Sequence, residues 1–135
     1  MSKISDKLDL ILKYSSQLQE LLPSSLKQYA SDIRTKAACE HFFEKTIQAI
    51  IDASYLILQV KKMEVSEDED SVFSVLEQHK LLPKPLAVRL TDAKKMRNIL
   101  THQYADINDE VVFNSLNDEL AQDAEAFIKE VRKCL

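Results

Sequence analysis

Apolar residues recur every three or four positions along the first part of the chain, which is the spacing of amphipathic helices. The first run predicts a helix from about Ser5 to Leu22, ending where Pro23 interrupts the pattern. A second run predicts a longer helix from about Asp32 to Lys62. The second half of this helix is apolar on more than one face, so we expect it at the centre of a bundle.

The same spacing continues in the second half of the chain. It predicts a short helix from Val72 to about His79, a longer one from about Pro85 to Tyr104, and a last one from about Asp109 to Arg132. The stretch Glu64 to Asp70 holds five acids in seven residues and is typical of a solvated connection. No stretch alternates with the period of a strand. The pattern therefore predicts one all-α domain over residues 1–135, a four- to five-helix bundle that runs largely up and down.

The predicted helix from about Pro85 to Tyr104 also carries apolar residues that we expect in the core. The residues expected in the core on this helix are Leu86, Val88, Leu90, Ala93, Met96, Ile99 and Leu100.

Composition supports the helical prediction, because none of the 135 residues is glycine. Average usage of about 7% would give roughly nine, and tight hairpins and phosphate-binding loops rely on glycine at positive φ. The net charge of −4 argues against a general nucleic-acid coat. Cys39 and Cys134 are isolated, as in a reducing compartment, and the apolar stretch from Ala49 to Val60 is too short to span a bilayer. We expect a soluble cytoplasmic protein with no membrane contact.

Positive charge is concentrated on one predicted helix of this acidic protein. Between Lys80 and Tyr104 the chain has six lysines or arginines and a single acid, Asp92. A solvated face explains such lysines as well as an anion site does. We favour an anion site because of the polar residues with which this helix ends.

Five polar residues share one side of that helix. At about 100° per residue, Arg97, Thr101 and Tyr104 lie within about 60° of one another, and Asn98 and His102 occupy the adjoining stripe. Arginine can hold a phosphate bidentately and stabilise charge that develops on it. Histidine can move a proton near neutral pH. These are the groups that a metal-independent ribonuclease needs, although the Arg–His spacing alone also fits a surface pair or an interhelical hydrogen bond.

The segment RNILTHQY, followed by ADINDEVVFNSL, resembles the signature of the HEPN superfamily. In particular it is similar to the HepT-like toxins, whose pattern is Arg-Asn, three residues, His, one residue and Tyr. The likeness extends upstream through DSVFSVLEQHKLLPKPLAVRLTDAKKMRN and more faintly through ACEHFFEKTIQAIIDASYLI. It implies an all-α homodimer in which the motifs of two protomers form one cleft. It also implies a metal-independent endoribonuclease that is the toxin of a type VII-like toxin–antitoxin pair, with a minimal nucleotidyltransferase (MNT) as antitoxin.

The resemblance assigns roles residue by residue. Arg97 and His102 are the implied catalytic pair, Asn98 is a polar helper, and Tyr104 is the residue that the antitoxin adenylylates. An AMP group on Tyr104 would bring an anion beside Arg97. No cofactor and no metal are implied, because no cluster of carboxylates or histidines has ligand spacing. For further contacts with RNA phosphates, the flanking residues Lys94 and Lys95 are the candidates.

Two alternatives stay open. The chain can be a non-catalytic HEPN partner or substrate-binding subunit of a minimal nucleotidyltransferase, or a purely structural helical bundle. Outside the motif, we expect Asp52 to be a capped or paired structural carboxylate and Tyr55 to be a core or interface aromatic residue. His41 and His79 have no positioned partner in the sequence, so we expect them at the surface or at helix ends.

Overall fold

A computed structural model describes residues 2–64, 71–102 and 107–135 of the chain. In these ranges the chain forms seven helices and no strand, which confirms the predicted all-α bundle. The helices are α1 (Ser2–Leu21), α2 (Leu26–Ser31), α3 (Ile33–Val60), α4 (Val72–Gln78), α5 (Lys84–His102), α6 (Asp109–Asp118) and α7 (Leu120–Cys134). None of these described helices combines the length and the apolar character that a membrane span requires.

The short helix α2 was not predicted, and side-chain caps explain why it forms. The Ser25 hydroxyl accepts a hydrogen bond from the backbone N–H of Gln28 (3.2 Å), and Asp32 accepts one from the N–H of Arg34 (3.0 Å). Asp32 has an extended backbone, so it ends α2 and begins α3 at the same residue. The six residues of α2 bury Tyr29 completely, and this burial holds the helix against the core.

The predicted last helix is divided into α6 and α7 at Glu119, whose φ is −116°. Backbone hydrogen bonds still run from Glu119 N–H to the Ser115 carbonyl and from Asp123 N–H to the Glu119 carbonyl. Leu116 and Leu120 are buried on either side of the break. The apolar spacing is thus uninterrupted, and the prediction of one continuous helix was wrong at this kink.

Two lysines adopt the backbone conformation that normally favours glycine. Lys62 and Lys80 have φ values of 55° and 62°. Each lysine follows the C-terminus of a helix, and the residue after the lysine donates a hydrogen bond back to a carbonyl in the last turn of that helix. Met63 N–H donates to the Leu58 carbonyl and Leu81 N–H donates to the Leu76 carbonyl, both at 2.9 Å. A non-glycine residue in this region costs about 1–2 kcal/mol. Helices α3 and α4 therefore end in C-terminal caps that contain lysine in place of glycine, and this conformation has an energetic cost.

Helix α3 lies at the centre of the bundle, as its apolar pattern predicts. Helix α1 packs along it, and α2, α4, α5 and α7 also contact it. Its fully or nearly fully buried apolar side chains are those of Cys39, Phe43, Ile47, Ala49, Ile50, Ile51, Ala53, Ile57 and Leu58. Because α5 packs on this central helix, the polar C-terminal end of α5 lies next to polar residues in the N-terminal half of α3.

The side of α5 that is buried in the core differs from the prediction. Val88 and Ile99 were expected in the core, but their exposed fractions are 50% and 46%, whereas Lys94 is only 2% exposed. The buried stripe runs through Leu90 and Lys94, and Val88 and Ile99 lie about 200° and 180° from Leu90 around the helix axis. Apolar residues occur on both sides of α5, so their spacing does not determine which side is buried.

Candidate active site

A groove of about 460 Å³ opens between α3 and α5 and contains three of the six predicted site residues. The α3 wall and the α5 wall each contribute four side chains. They are His41, Glu44, Lys45 and Gln48 of α3, and Arg97, Asn98, Thr101 and His102 of α5. The structure thus brings the implied catalytic pair and its polar helper into one open groove.

The guanidinium of Arg97 is oriented by two amide side chains. Its Nη1 donates to Gln48 Oε1 at 2.7 Å, and its Nη2 and Nε donate to Asn98 Oδ1 at 2.9 and 3.2 Å. A neutral oxygen orients a guanidinium without cancelling its charge. The contact with Asn98 is consistent with the helper role that the resemblance implies. The sequence did not predict a contact with Gln48.

Gln48 is itself held by a neighbour on α3. Its Nε2 donates to Asp52 Oδ1 at 2.9 Å, and the ammonium of Lys7 on α1 lies 3.1 Å from Asp52 Oδ2. Asp52 is therefore a paired carboxylate, as expected. These contacts join α1, α3 and α5 at one side of the groove.

Thr101 connects the two walls further along the groove. Its hydroxyl lies 3.0 Å from Glu44 Oε1 on α3 and 3.0 Å from the carbonyl oxygen of Arg97, one turn earlier on α5. Glu44 therefore places one negative charge in a groove whose formal positive charges in the described chain are those of Lys45 and Arg97.

One turn before Glu44, α3 carries a second acid in a partly buried setting. Burial raises the pKa of Glu40 above its ordinary value, and the carboxylates of Asp109 and Glu44 raise it further, whereas Lys36 opposes this shift. The Lys36 ammonium lies 2.7 Å from Asp109 Oδ1, which ties α3 to the start of α6. This end of the site is consequently acidic.

Two histidines face the groove from opposite walls. His102 is exposed at the end of α5, and His41 is exposed on α3, with its ring edge-on to Phe42 at a centroid distance of 5.2 Å. The surface position of His41 agrees with the sequence prediction, but its place in the site was missed. The available signal was that His41, Lys45 and Gln48 share one face of α3. Only the packing of the helices shows that this face meets the motif.

The other predicted site residues lie elsewhere. Lys94 is buried in the stripe that packs α5 into the bundle, so the prediction that it contacts RNA phosphates was wrong for the protomer as it folds. Lys95 is exposed, but it lines a separate groove between α4 and α5, together with Glu77 and Thr91. The implied adenylylation site, Tyr104, lies outside the described residues.

Comparison with known proteins places these features in a family. The family model described as "Ribonuclease HepT-like" matches residues 11–131. The "tRNA nuclease HepT" of Aphanizomenon flos-aquae is 29% identical over 119 residues, which cover 88% of this chain and 81% of that protein. The "mRNA nuclease HepT" of Shewanella oneidensis is 22% identical over 129 residues, which cover 96% of each chain.

The fold agrees with this assignment. A solved structure of the tri-AMPylated Shewanella oneidensis HEPN toxin in complex with its MNT antitoxin superimposes with a TM-score of 0.89. It covers 96% of both chains at 22% identity. The resemblance to the HepT-like proteins is thereby confirmed, and the chain belongs to the HepT-like ribonuclease family.

Proposed function

We propose that this protein is a metal-independent endoribonuclease and the toxin of a type VII-like toxin–antitoxin pair, acting in the cytoplasm. The observation that carries the proposal is the groove between α3 and α5, in which Arg97, Asn98 and His102 stand together. The guanidinium of Arg97 is already oriented by two amide side chains. Such preorganisation suits a group that stabilises the negative charge developing on a phosphate. Two relatives that carry the names tRNA nuclease and mRNA nuclease support the same activity.

The groove supplies the groups for cleavage by the neighbouring 2′-hydroxyl. His102 accepts the proton of that hydroxyl, the 2′-oxygen bonds to phosphorus, and Arg97 stabilises the charge on the phosphate oxygens. The bond from phosphorus to the 5′-oxygen then breaks, and this oxygen takes a proton. His41 is the acid for that step, since it faces His102 from the other wall of the groove. The products are a 2′,3′-cyclic phosphate and a 5′-hydroxyl.

The test is cleavage of a labelled RNA by protein that has been treated with EDTA and is assayed in EDTA. We expect a rate equal to that without chelator, and 3′ ends that resist phosphatase until acid opens the cyclic phosphate. Cleavage that appears only after a divalent cation is added, or that leaves a 5′-phosphate, would contradict the mechanism. A protein that never cleaves RNA but is adenylylated at Tyr104 would instead support the alternative of a non-catalytic nucleotidyltransferase partner.

We further propose that two protomers form the active enzyme. The described part of one groove has little positive charge, because Glu44 opposes Lys45 and Arg97, and RNA binding relies on cations. The outward side of α5 carries the exposed apolar residues Val88 and Ile99, and Ile99 lies about 60° from His102 around the helix. An apolar side of the motif helix suits an isologous contact that would bring two motifs together.

Ile99→Glu is expected to weaken this dimer. An unpaired neutral polar group costs about 1–3 kcal/mol when it is buried, and a carboxylate costs more, so the dimer dissociation constant should rise by about tenfold or more. Sedimentation equilibrium measures the change, and Val111→Glu is the matched control because Val111 is similarly exposed on α6. An unchanged dissociation constant in Ile99→Glu would place the interface elsewhere.

The same proposal assigns the antitoxin as an MNT-type nucleotidyltransferase that transfers AMP to Tyr104. Tyr104 comes two positions after His102, the last residue of α5. The phosphodiester of an AMP group so near the motif would compete with RNA phosphate for Arg97. The Shewanella oneidensis toxin, which is tri-AMPylated and bound to its MNT antitoxin, supports this assignment.

A further inference from the structure

A line of side-chain contacts leads from α1 through α3 to the catalytic groove. The Lys7 ammonium lies 3.1 Å from Asp52 Oδ2, Gln48 Nε2 lies 2.9 Å from Asp52 Oδ1, and Arg97 Nη1 lies 2.7 Å from Gln48 Oε1. Each contact pairs a donor with an acceptor. Three helices that are distant in sequence thus meet at one side of the Arg97 guanidinium.

The chemistry of the neighbours fixes the orientation of the Gln48 amide. A guanidinium only donates hydrogen bonds, and an ionised carboxylate only accepts them. The amide NH₂ of Gln48 must therefore face Asp52, so its oxygen must face Arg97. A glutamate at position 48 would repel Asp52, and a lysine would repel Arg97. A side chain with one donor end and one acceptor end is what this position requires.

We propose that Gln48 is a positioning residue for Arg97, and that Asp52, held by Lys7, fixes the Gln48 amide in the orientation that does so. Gln48 holds Nη1, whereas Asn98 holds Nε and Nη2. A guanidinium fixed on both sides needs little reorganisation when charge develops on the phosphate. The inference rests on the proposed ribonuclease activity and adds the group that sets the geometry of its cation.

Solvent exposure separates this role from a contribution to stability. Gln48 is exposed, and the side chains of Lys7 and Asp52 are 33% and 38% exposed. Contacts of this kind contribute little to the free energy of unfolding. Their loss should therefore affect the reaction much more than the melting temperature.

The test replaces Gln48 by methionine, which has a similar length and removes both hydrogen bonds. We expect Gln48→Met to lower kcat by about 10- to 100-fold, with KM and the melting temperature close to those of the wild type. Gln59→Met is the matched control, because Gln59 is also exposed on α3 and does not line the groove. Asp52→Ala should lower kcat in the same direction but less, because the freed amide can still accept from Arg97.

A double-mutant cycle separates positioning from any other effect. In an Arg97→Ala background, followed under single-turnover conditions, Gln48→Met should change the remaining rate by less than about twofold. An equal loss in both backgrounds would overturn the proposal, since Gln48 would then act without Arg97. No loss in the Arg97-containing protein would overturn it as well.

A second readout needs no RNA and so distinguishes failure of this inference from failure of the proposed function. In nitrogen-15 NMR spectra, the Nε–H signal of Arg97 is the one that disappears in Arg97→Ala. Gln48→Met should shift this signal and speed its exchange with water, and Gln59→Met should leave it unchanged. If the wild type cleaves no RNA, the ribonuclease proposal fails while the NMR result still reports on the contact. An Arg97 signal that is indifferent to Gln48 would overturn the positioning role.

Discussion

Replacement of His102 by alanine is expected to lower the rate of RNA cleavage by about 10²- to 10⁴-fold, the usual contribution of a general base. His102 is exposed at the end of α5 and lines the groove next to Asn98 and Thr101, so it can reach a bound RNA strand. The melting temperature should change little, because an exposed imidazole adds little to the core. Measurement of cleavage under single-turnover conditions in EDTA gives the chemical step directly.

The dependence of the rate on pH separates the two histidines of the groove. A general base acts in its neutral form and a general acid in its protonated form. As the pH is increased, the wild-type rate should therefore first rise, on the acidic side of the profile, and then fall, on the alkaline side. His102→Ala should remove the rise, and His41→Ala should remove the fall. The control is His79→Ala, since His79 is exposed at the end of α4, away from the groove.

The possible outcomes assign the proton transfers. A His102→Ala protein that cleaves RNA at the wild-type rate would contradict the catalytic assignment. A His41→Ala protein that keeps the fall at high pH would show that the acid is another group, and a histidine of the second protomer would then be the next candidate to test.

Adenylylation by the cognate nucleotidyltransferase is expected to lower cleavage by about 10²-fold or more, and Tyr104→Phe should escape this inhibition. The phenolic oxygen of Tyr104 would bond to the α-phosphorus of ATP as the bond to pyrophosphate breaks, and the phenolic proton would pass to the nucleotidyltransferase or to water. The new phosphodiester would then occupy the place of the RNA phosphate beside Arg97. Intact-mass measurement counts the AMP units, and the cleavage assay follows their effect.

Tyr14→Phe serves as the control in this experiment, because Tyr14 is a half-buried residue of α1. It should be adenylylated and inhibited like the wild type. Equal modification of Tyr104→Phe and of the wild type would show that AMP is attached at another residue. Loss of modification without any change in inhibition would mean that the nucleotidyltransferase blocks the toxin by binding alone.

Much of the fold was predictable because helical periodicity is a local property. The long predicted helices, the central place of α3 and the buried apolar face of α1 follow from spacings of three and four residues. The prediction failed where two solutions fit the same pattern. Val88, Lys94 and Ile99 were assigned to the wrong sides of α5, since apolar residues occur all around that helix and a lysine stands in its buried stripe.

The candidate site divides in the same way. Helical geometry alone places Arg97, Asn98 and His102 on one helix face, because a fixed rotation per residue sets their directions. The absence of glycine also predicted that any bound phosphate would be held by side chains on a helix and not by a glycine-rich loop. The residues opposite this face depend on how the helices pack, and the packing brings His41 and Gln48 there. These residues lie about 50 positions before the motif, and no local rule joins them to it. Their meeting depends on how the whole core packs α5 against α3.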